Sequence, residues 1–230
     1  MRLAPIVLPL ALVSACATPR VNVPEAEQAR AQRELTGQQR YLRVAASIGP
    51  LWGDTDRLLV TEQPAKELDL VETPTGAVMS PPPFERILPP GTPVRVSAVE
   101  FPNQWVMARR VVTTPRYHPW VYLQLAGERR PLVAVMGQTA ATAEAVRAEL
   151  EQLLTSDDPG PALAALPADV REAVLRKEAR EGMSSRALEM AWGVPERKRI
   201  DRPAGTEEWI YAGGKRRAYL RDDRVESLAR

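Results

Sequence analysis

Gly182-Met183-Ser184-Ser185-Arg186-Ala187-Leu188-Glu189-Met190-Ala191-Trp192-Gly193-Val194-Pro195 contains a short helix with its start and stop signals, and its reading decides the fold of the C-terminal third. Ser184 or Ser185 can cap the helix by accepting an orphan backbone N–H, and Gly182 suits the left-handed position after the last turn of a preceding helix. Leu188, Ala191 and Trp192 recur at helical spacing and predict the buried face. Gly193 and Pro195 end the run. Downstream the pattern becomes that of short strands, near 197–201, 207–211 and 216–221, with a fourth over 224–228. Pro203-Ala204-Gly205, Gly213-Gly214 and Asp222-Asp223 supply the turns, because Gly and Asp tolerate the positive φ of tight hairpins. Upstream, Pro167 suits a first helical turn, and Val170, Val174 and Leu175 line one face of that helix. Residues 162–230 therefore read as α-α-β-β-β.

Between 57 and 137 short apolar runs alternate with Pro and Gly. Residues 68–71, 94–99, 105–112, 120–125 and 132–136 each predict a strand. Pro74-Thr75-Gly76, Pro89-Pro90-Gly91, Pro102-Asn103 and Gly127-Glu128 carry turn chemistry between them. This spacing predicts a small all-β, barrel-like domain. Its stretch 88–96, Leu-Pro-Pro-Gly-Thr-Pro-Val-Arg-Val, resembles the opening of a bacterial Src-homology-3-like barrel. Trp105, Trp120 and Tyr122 read as core aromatics. A helix over 139–156 follows, capped by Thr139 or Thr142, with Glu144 at its positive end and Val146, Leu150, Leu153 and Leu154 in one stripe. Residues 156–161, Ser-Asp-Asp-Pro-Gly-Pro, stop it and read as a linker, so that 138–161 form a helix and linker between the two domains. The expected fold class is α+β.

The N-terminus reads as an export signal over 1–15. Arg2 supplies a positive start, and 3–13 is uncharged and almost wholly apolar, too short to span a bilayer. Val13-Ser14-Ala15-Cys16 resembles the bacterial lipobox, in which the Cys thiol becomes a thioether to diacylglycerol, the signal is cut before it and the new amino terminus is acylated. The resemblance makes Cys16 the lipidation residue. Acyl chains there would hold the chain on a membrane, since a single chain anchors only marginally and several do not. Ala17 stands where an Asp would retain an enteric lipoprotein in the inner membrane, and so resembles the outer-membrane default, with the body on the periplasmic face. Cys16 is the only Cys, so the body folds without an internal disulfide. Residues 16–56 are expected to form a tether interrupted by Pro19 and Pro24, then a spacer helix over 25–47 that Thr36-Gly37 can break.

The C-terminal unit resembles the BamE family, also called SmpA/OmlA, small outer-membrane lipoproteins of the β-barrel assembly machinery. The residues that carry the resemblance are Gly182-Met183-Ser184, then Trp192-Gly193-Val194-Pro195, then Trp209-Ile210-Tyr211, then Ala218-Tyr219-Leu220-Arg221-Asp222-Asp223-Arg224-Val225, in the family's order. The resemblance covers under a third of the chain, and here the unit follows a large extra module. The stretch between Pro195 and Trp209 lacks the longer loop of many members. The resemblance implies a scaffold or interaction role in envelope or outer-membrane protein assembly. The barrel-like middle region motivates an alternative, a peptidoglycan-binding envelope lipoprotein.

Composition narrows the function classes. Lys plus Arg number 31 against 29 Asp plus Glu, and a net charge of +2 argues against a nucleic-acid partner bound by phosphate neutralisation. His118 is the only His, so His-based triads and multi-His metal sites are excluded. Gly213-Gly214-Lys215 lacks the spacing of a phosphate loop. Asp157-Asp158 and Asp222-Asp223 fit capping and turns better than a cation site. No catalytic constellation, cofactor or metal is expected. The candidate partner-binding residues are Trp209 and Tyr211, on one face of a strand, with Arg216, Arg217 and Tyr219 of the basic hairpin. The competing reading of the aromatics is core packing. For the basic residues it is a solvated edge that resists strand-to-strand aggregation.

Overall fold

The structure, a computed structural model, describes residues 23–229. The expected signal segment 1–15, Cys16 and the expected tether up to residue 22 lie outside the described residues. The described chain is mixed α+β, with two sheets of eight and four strands. No helix among the described residues is long and apolar enough to cross a membrane.

Helix α1 (Glu25–Leu35) ends where Gly37 takes a φ of 85°. The expected spacer helix therefore stops well short of 47. Its second half is instead strand β1 (Gln39–Leu42) and the start of β2 (Ala46–Leu51), which turns into β3 (Asp54–Thr61). The sheet thus begins near residue 39, not 57. Strand β2 carries few β-branched residues; burial on both faces holds it in the sheet. The remaining strands are β4 (Arg86–Leu88), β5 (Pro93–Glu100), β6 (Trp120–Leu125), β7 (Leu132–Val135) and the two-residue β8 (Leu154–Thr155). Their order is β4-β2-β3-β7-β6-β5-β1-β8, with β3 and β7 parallel and every other pair antiparallel. The expected barrel does not close: β4 and β8 are its ends and do not pair. Both are very short, which limits the unpaired backbone they offer.

Two strand expectations fail. Residues 68–71 join no ladder of this sheet. They belong to a Pro-rich strap that covers one sheet face, where Leu68 packs in a core with Leu51, Trp52, Leu59, Trp120 and Val133. Residues 105–112 include most of a short helix, α2 (Gln104–Arg109), started by Asn103, whose side chain accepts from Val106 N at 2.9 Å. Trp120 is fully buried and Tyr122 packs beside it, but Trp105 stands 81 % exposed and is no core residue. The other sheet face carries α1 and α3 (Ala143–Leu153), which Thr142 caps, over a core that includes Leu42, Ile48, Val121 and Leu150. Because β8 follows α3 directly and pairs with β1, the expected helix and linker is an integral layer of this unit.

The C-terminal unit follows as α4 (Gly160–Ala164), α5 (Ala168–Leu175), α6 (Ser185–Trp192) and the antiparallel meander β9 (Arg197–Asp201), β10 (Thr206–Tyr211), β11 (Arg216–Arg221) and β12 (Arg224–Ala229). Ser184 caps α6 by accepting from Ala187 N, and Gly193 ends it with a φ of 90°. Pro167 precedes α5 instead of sitting in its first turn, and Leu175 faces outward while Ala173 and Val174 are buried. Helix α5 ends before Gly182: Lys177 takes the left-handed conformation there, at φ 58°. The helices pack on one face of the meander around Met183, Leu188, Trp192, Trp209 and Leu220. Fully burying an apolar side chain of this size contributes roughly 1.5–3 kcal/mol.

Candidate functional site

Strand alternation sorts the meander's side chains between the helix-covered face and the open one. Trp209, Tyr211, Arg216 and Ala218 take the inner face. Trp209 and Tyr211 are 2 % and 3 % exposed, so the expected exposed aromatic surface does not exist at these residues. Trp209 donates its Nε1–H to Glu207 at 2.6 Å, and the Lys198 ammonium lies 3.7 Å from its ring centroid. Tyr211 meets Trp192 edge-to-face at 5.4 Å, and its buried hydroxyl has no hydrogen-bond partner among the described residues. Burial pushes the Tyr211 phenol well above its usual range.

The outer face holds the remaining candidates. Arg217 sits opposite Ile210, and Tyr219 sits opposite Glu208. On the other side of β10, Arg197 and Arg199 oppose the same two residues. Glu208 ties the face together, pairing with Arg199 at 2.9 Å and Arg217 at 3.0 Å. The Tyr219 hydroxyl and the Glu208 carboxylate hold the Arg217 guanidinium above its ordinary pKa. Arg221 extends the basic row, and Tyr219 is 36 % exposed. Ile210 is nonetheless buried, between Arg197 and Arg217, as expected when long basic side chains lay their stems over apolar surface. The result is a row of guanidinium groups around Glu208 with one tyrosine among them, a chemistry that can receive anionic or aromatic groups.

Arg216, the fifth candidate, has a different place. It points into the joint between the two units, where its Nε donates to Glu67 at 2.9 Å and both side chains are almost wholly buried. Its guanidinium lies 4.6 Å from the Trp192 ring centroid and 5.2 Å from that of Tyr211. Lys177 enters the same joint and donates its Nζ–H groups to the carbonyls of Ala45 and of Glu62, the latter at 2.8 Å. Burial drags the Lys177 ammonium down to about 8, against the pull of the Glu62 carboxylate. Ala45 N donates to Met190 O at 2.7 Å, a backbone link across the units. These contacts border a cleft of about 550 Å³ that also reaches Phe84, Ile87 and Lys215. Sequence reading missed Lys177 and Glu67. Two signals were present: a helix end before Gly182, and an acid in the Pro-rich strap.

His118 is buried, with Nδ1 2.8 Å from Met136 O, and burial lowers its pKa. Asp158 accepts from Gly160 N at 2.7 Å, and Asp222 and Asp223 take positive φ in the last hairpin. Among the described residues no cluster of three or more His, Cys, Asp and Glu side chains could hold a metal ion. Comparison with known proteins finds no match among family models, curated proteins or solved structures.

Proposed function

We propose that this protein is an outer-membrane lipoprotein, anchored through acyl chains on Cys16, whose periplasmic body is a non-catalytic interaction module in envelope or outer-membrane protein assembly, with a BamE-like C-terminal unit. The observation that carries the reading is the open face of the C-terminal meander. Its inner face is sealed by helices, while Arg197, Arg199, Arg217, Tyr219 and Arg221 stand on the other with no helix packed over them. Such a face binds; it does not supply a nucleophile and a base. The lipobox-like segment ending in the only Cys supports the anchor, and an anchor raises the effective concentration of this face for its envelope neighbours. The peptidoglycan alternative drew on a barrel-like middle region; the sheet there is open, so the resemblance to a barrel gives it no support.

The test joins mass spectrometry of the native protein with a photo-crosslinking side chain at position 219. The expected result is a thioether-linked, N-acylated Cys16 and a discrete envelope protein crosslinked in intact membranes, with the crosslink lost in Arg199→Glu/Arg217→Glu. An unmodified thiol at Cys16 overturns the anchor, and a crosslink indifferent to the two charge reversals overturns the binding face.

A further inference from the structure

Residues 101–119, between β5 and β6, read Phe-Pro-Asn-Gln-Trp-Val-Met-Ala-Arg-Arg-Val-Val-Thr-Thr-Pro-Arg-Tyr-His-Pro and contain no Asp or Glu. They form an excursion that turns apolar side chains outward: Trp105 is 81 % exposed, Val112 71 %, Tyr117 46 % and Val111 39 %. The Arg109 side chain, 72 % exposed, stands among them, and the Arg116 guanidinium lies 4.9 Å from the Tyr117 ring centroid.

The excursion is held in shape from beneath. Arg110, its side chain 3 % exposed, donates to Glu100 at 2.8 Å and to the carbonyls of Arg116 at 3.0 Å and His118 at 2.7 Å. Its guanidinium stacks 3.6 Å from the Trp120 ring centroid. A buried arginine that clamps both ends of a loop is a costly device, stable only because every donor has a partner. It presents the exposed residues on a fixed base, so little ordering is left for binding to do.

The position of the excursion identifies what it meets. Helix α1 runs antiparallel to β5: Gly37 N donates to Val96 O at 2.8 Å, and Gln32 Nε2 donates to Val99 O. Continuing toward the helix N-terminus leads past Phe101 to the start of the excursion, and Val23 shares a core with Phe101. Six residues lie between Cys16 and Val23, so seven Cα–Cα steps give a reach of at most about 25 Å. The C-terminal unit lies at the opposite end of the β2–β3 hairpin. It docks on Ala45 and Glu62, whereas the Trp52-Gly53 turn abuts Val111 and Thr113.

From this placement we infer that the 101–119 excursion is a membrane-contacting surface, with Trp105, Val112 and Tyr117 seated in the interfacial region of the leaflet that carries the acyl chains, and Arg109 and Arg116 against its anionic headgroups. Trp and Tyr favour that region because each ring has an apolar body and a polar tip, and basic side chains are drawn to an anionic surface. Acyl chains alone would let the body tumble on its tether. A second contact fixes its orientation and places the C-terminal unit at the end of the body away from the bilayer. The inference rests on the anchor proposed above.

The protein carries its own probe. Trp105 is exposed, whereas Trp52, Trp120, Trp192 and Trp209 are all 6 % exposed or less, so aqueous iodide reads Trp105. The full-length acylated protein is reconstituted into phosphatidylethanolamine–phosphatidylglycerol vesicles with and without lipids brominated on their chains. Iodide quenching is expected to be lost on reconstitution relative to detergent-free buffer with the anchor shielded by carrier protein. Brominated lipid is expected to quench a component that is absent in Trp105→Phe and weakened in Val112→Ser. Co-floating acylated protein whose Trp105 stays open to iodide and untouched by bromine overturns the membrane contact while leaving the anchor intact; that includes the case in which this face binds a protein instead. An unmodified Cys16 overturns both.

Discussion

His118 shows how one buried titratable residue ties stability to pH. The ring is held neutral because burial penalises the imidazolium, and Arg110 adds to the effect while Glu149 and the Met136 carbonyl oppose it. The native pKa lies below the ordinary 6.5, so below that pH the unfolded chain binds a proton that the native chain refuses. Stability from this group is complete above the unfolded pKa and is lost as pH falls toward the native one. Because the chain has a single His, the slope between pH 6.5 and 5.5 belongs largely to this residue. His118→Asn, which keeps a donor near the Nδ1 position and cannot charge, is expected to flatten the slope of the urea midpoint across that interval. An unchanged slope would show that the ring titrates freely in the native state. In the sequence His118 is only a lone His, which excludes a His-based triad; the packing of the Met136 backbone against it decides that it is inside.

At the level of elements, α6 was legible down to its ends. Ser184 caps it and Gly193 ends it, as the residue types require. What the types could not say is that Gly193 also touches the other unit: a Cβ there would lie 3.0 Å from Glu62 Cγ, at a φ of 90° that only glycine adopts without strain. Gly193→Ala is expected to destabilise the protein by about 1–3 kcal/mol, the usual cost of a side chain in a glycine-only conformation. Ser184→Ala, which removes one cap, should cost about 1 kcal/mol. Chemical denaturation of both variants checks the order; an alanine at 193 as stable as the parent would mean the turn relaxes freely. The four-strand meander was legible for a similar reason, since each of its turns is marked by residues that tolerate positive φ. The run 105–112 was not. Its composition is compatible with a strand, but Asn103 caps the segment and a short helix forms over 104–109.

For the molecule as a whole, the joint between the two units is the feature on which its behaviour as one body depends. Glu67 and Arg216 are paired there with side chains 5 % and 10 % exposed. Removing one member of such a pair strands the other as a buried charge and typically costs about 3–5 kcal/mol, whereas replacing both with apolar groups is far milder. Glu67→Leu and Arg216→Met are therefore each expected to be strongly destabilising, and the double variant less so than either sum. A thermodynamic cycle from denaturation curves measures this coupling. Additive effects would show that the ion pair contributes no coupling and that the carbonyl contacts of Lys177, with the backbone link from Ala45 to Met190, carry the joint alone.

What the sequence determined by itself is local: the capped helix over 185–192, the hairpin turns, the strands over 94–99, 120–125 and 132–136, and the lone Cys in its apolar, small-residue setting. Each is written in residues within a few positions of one another, where backbone sterics, capping and alternation act directly. Only the tertiary structure decided that residues 39–56 enter the first sheet, that this sheet stays open, that Trp209 and Tyr211 are buried while Trp105 is bare, and that Arg216 pairs with Glu67. The physical reason is common to all four. Burial and pairing belong to two surfaces meeting, and an apolar or charged residue does not carry in its own neighbourhood the identity of the distant residue that will cover it.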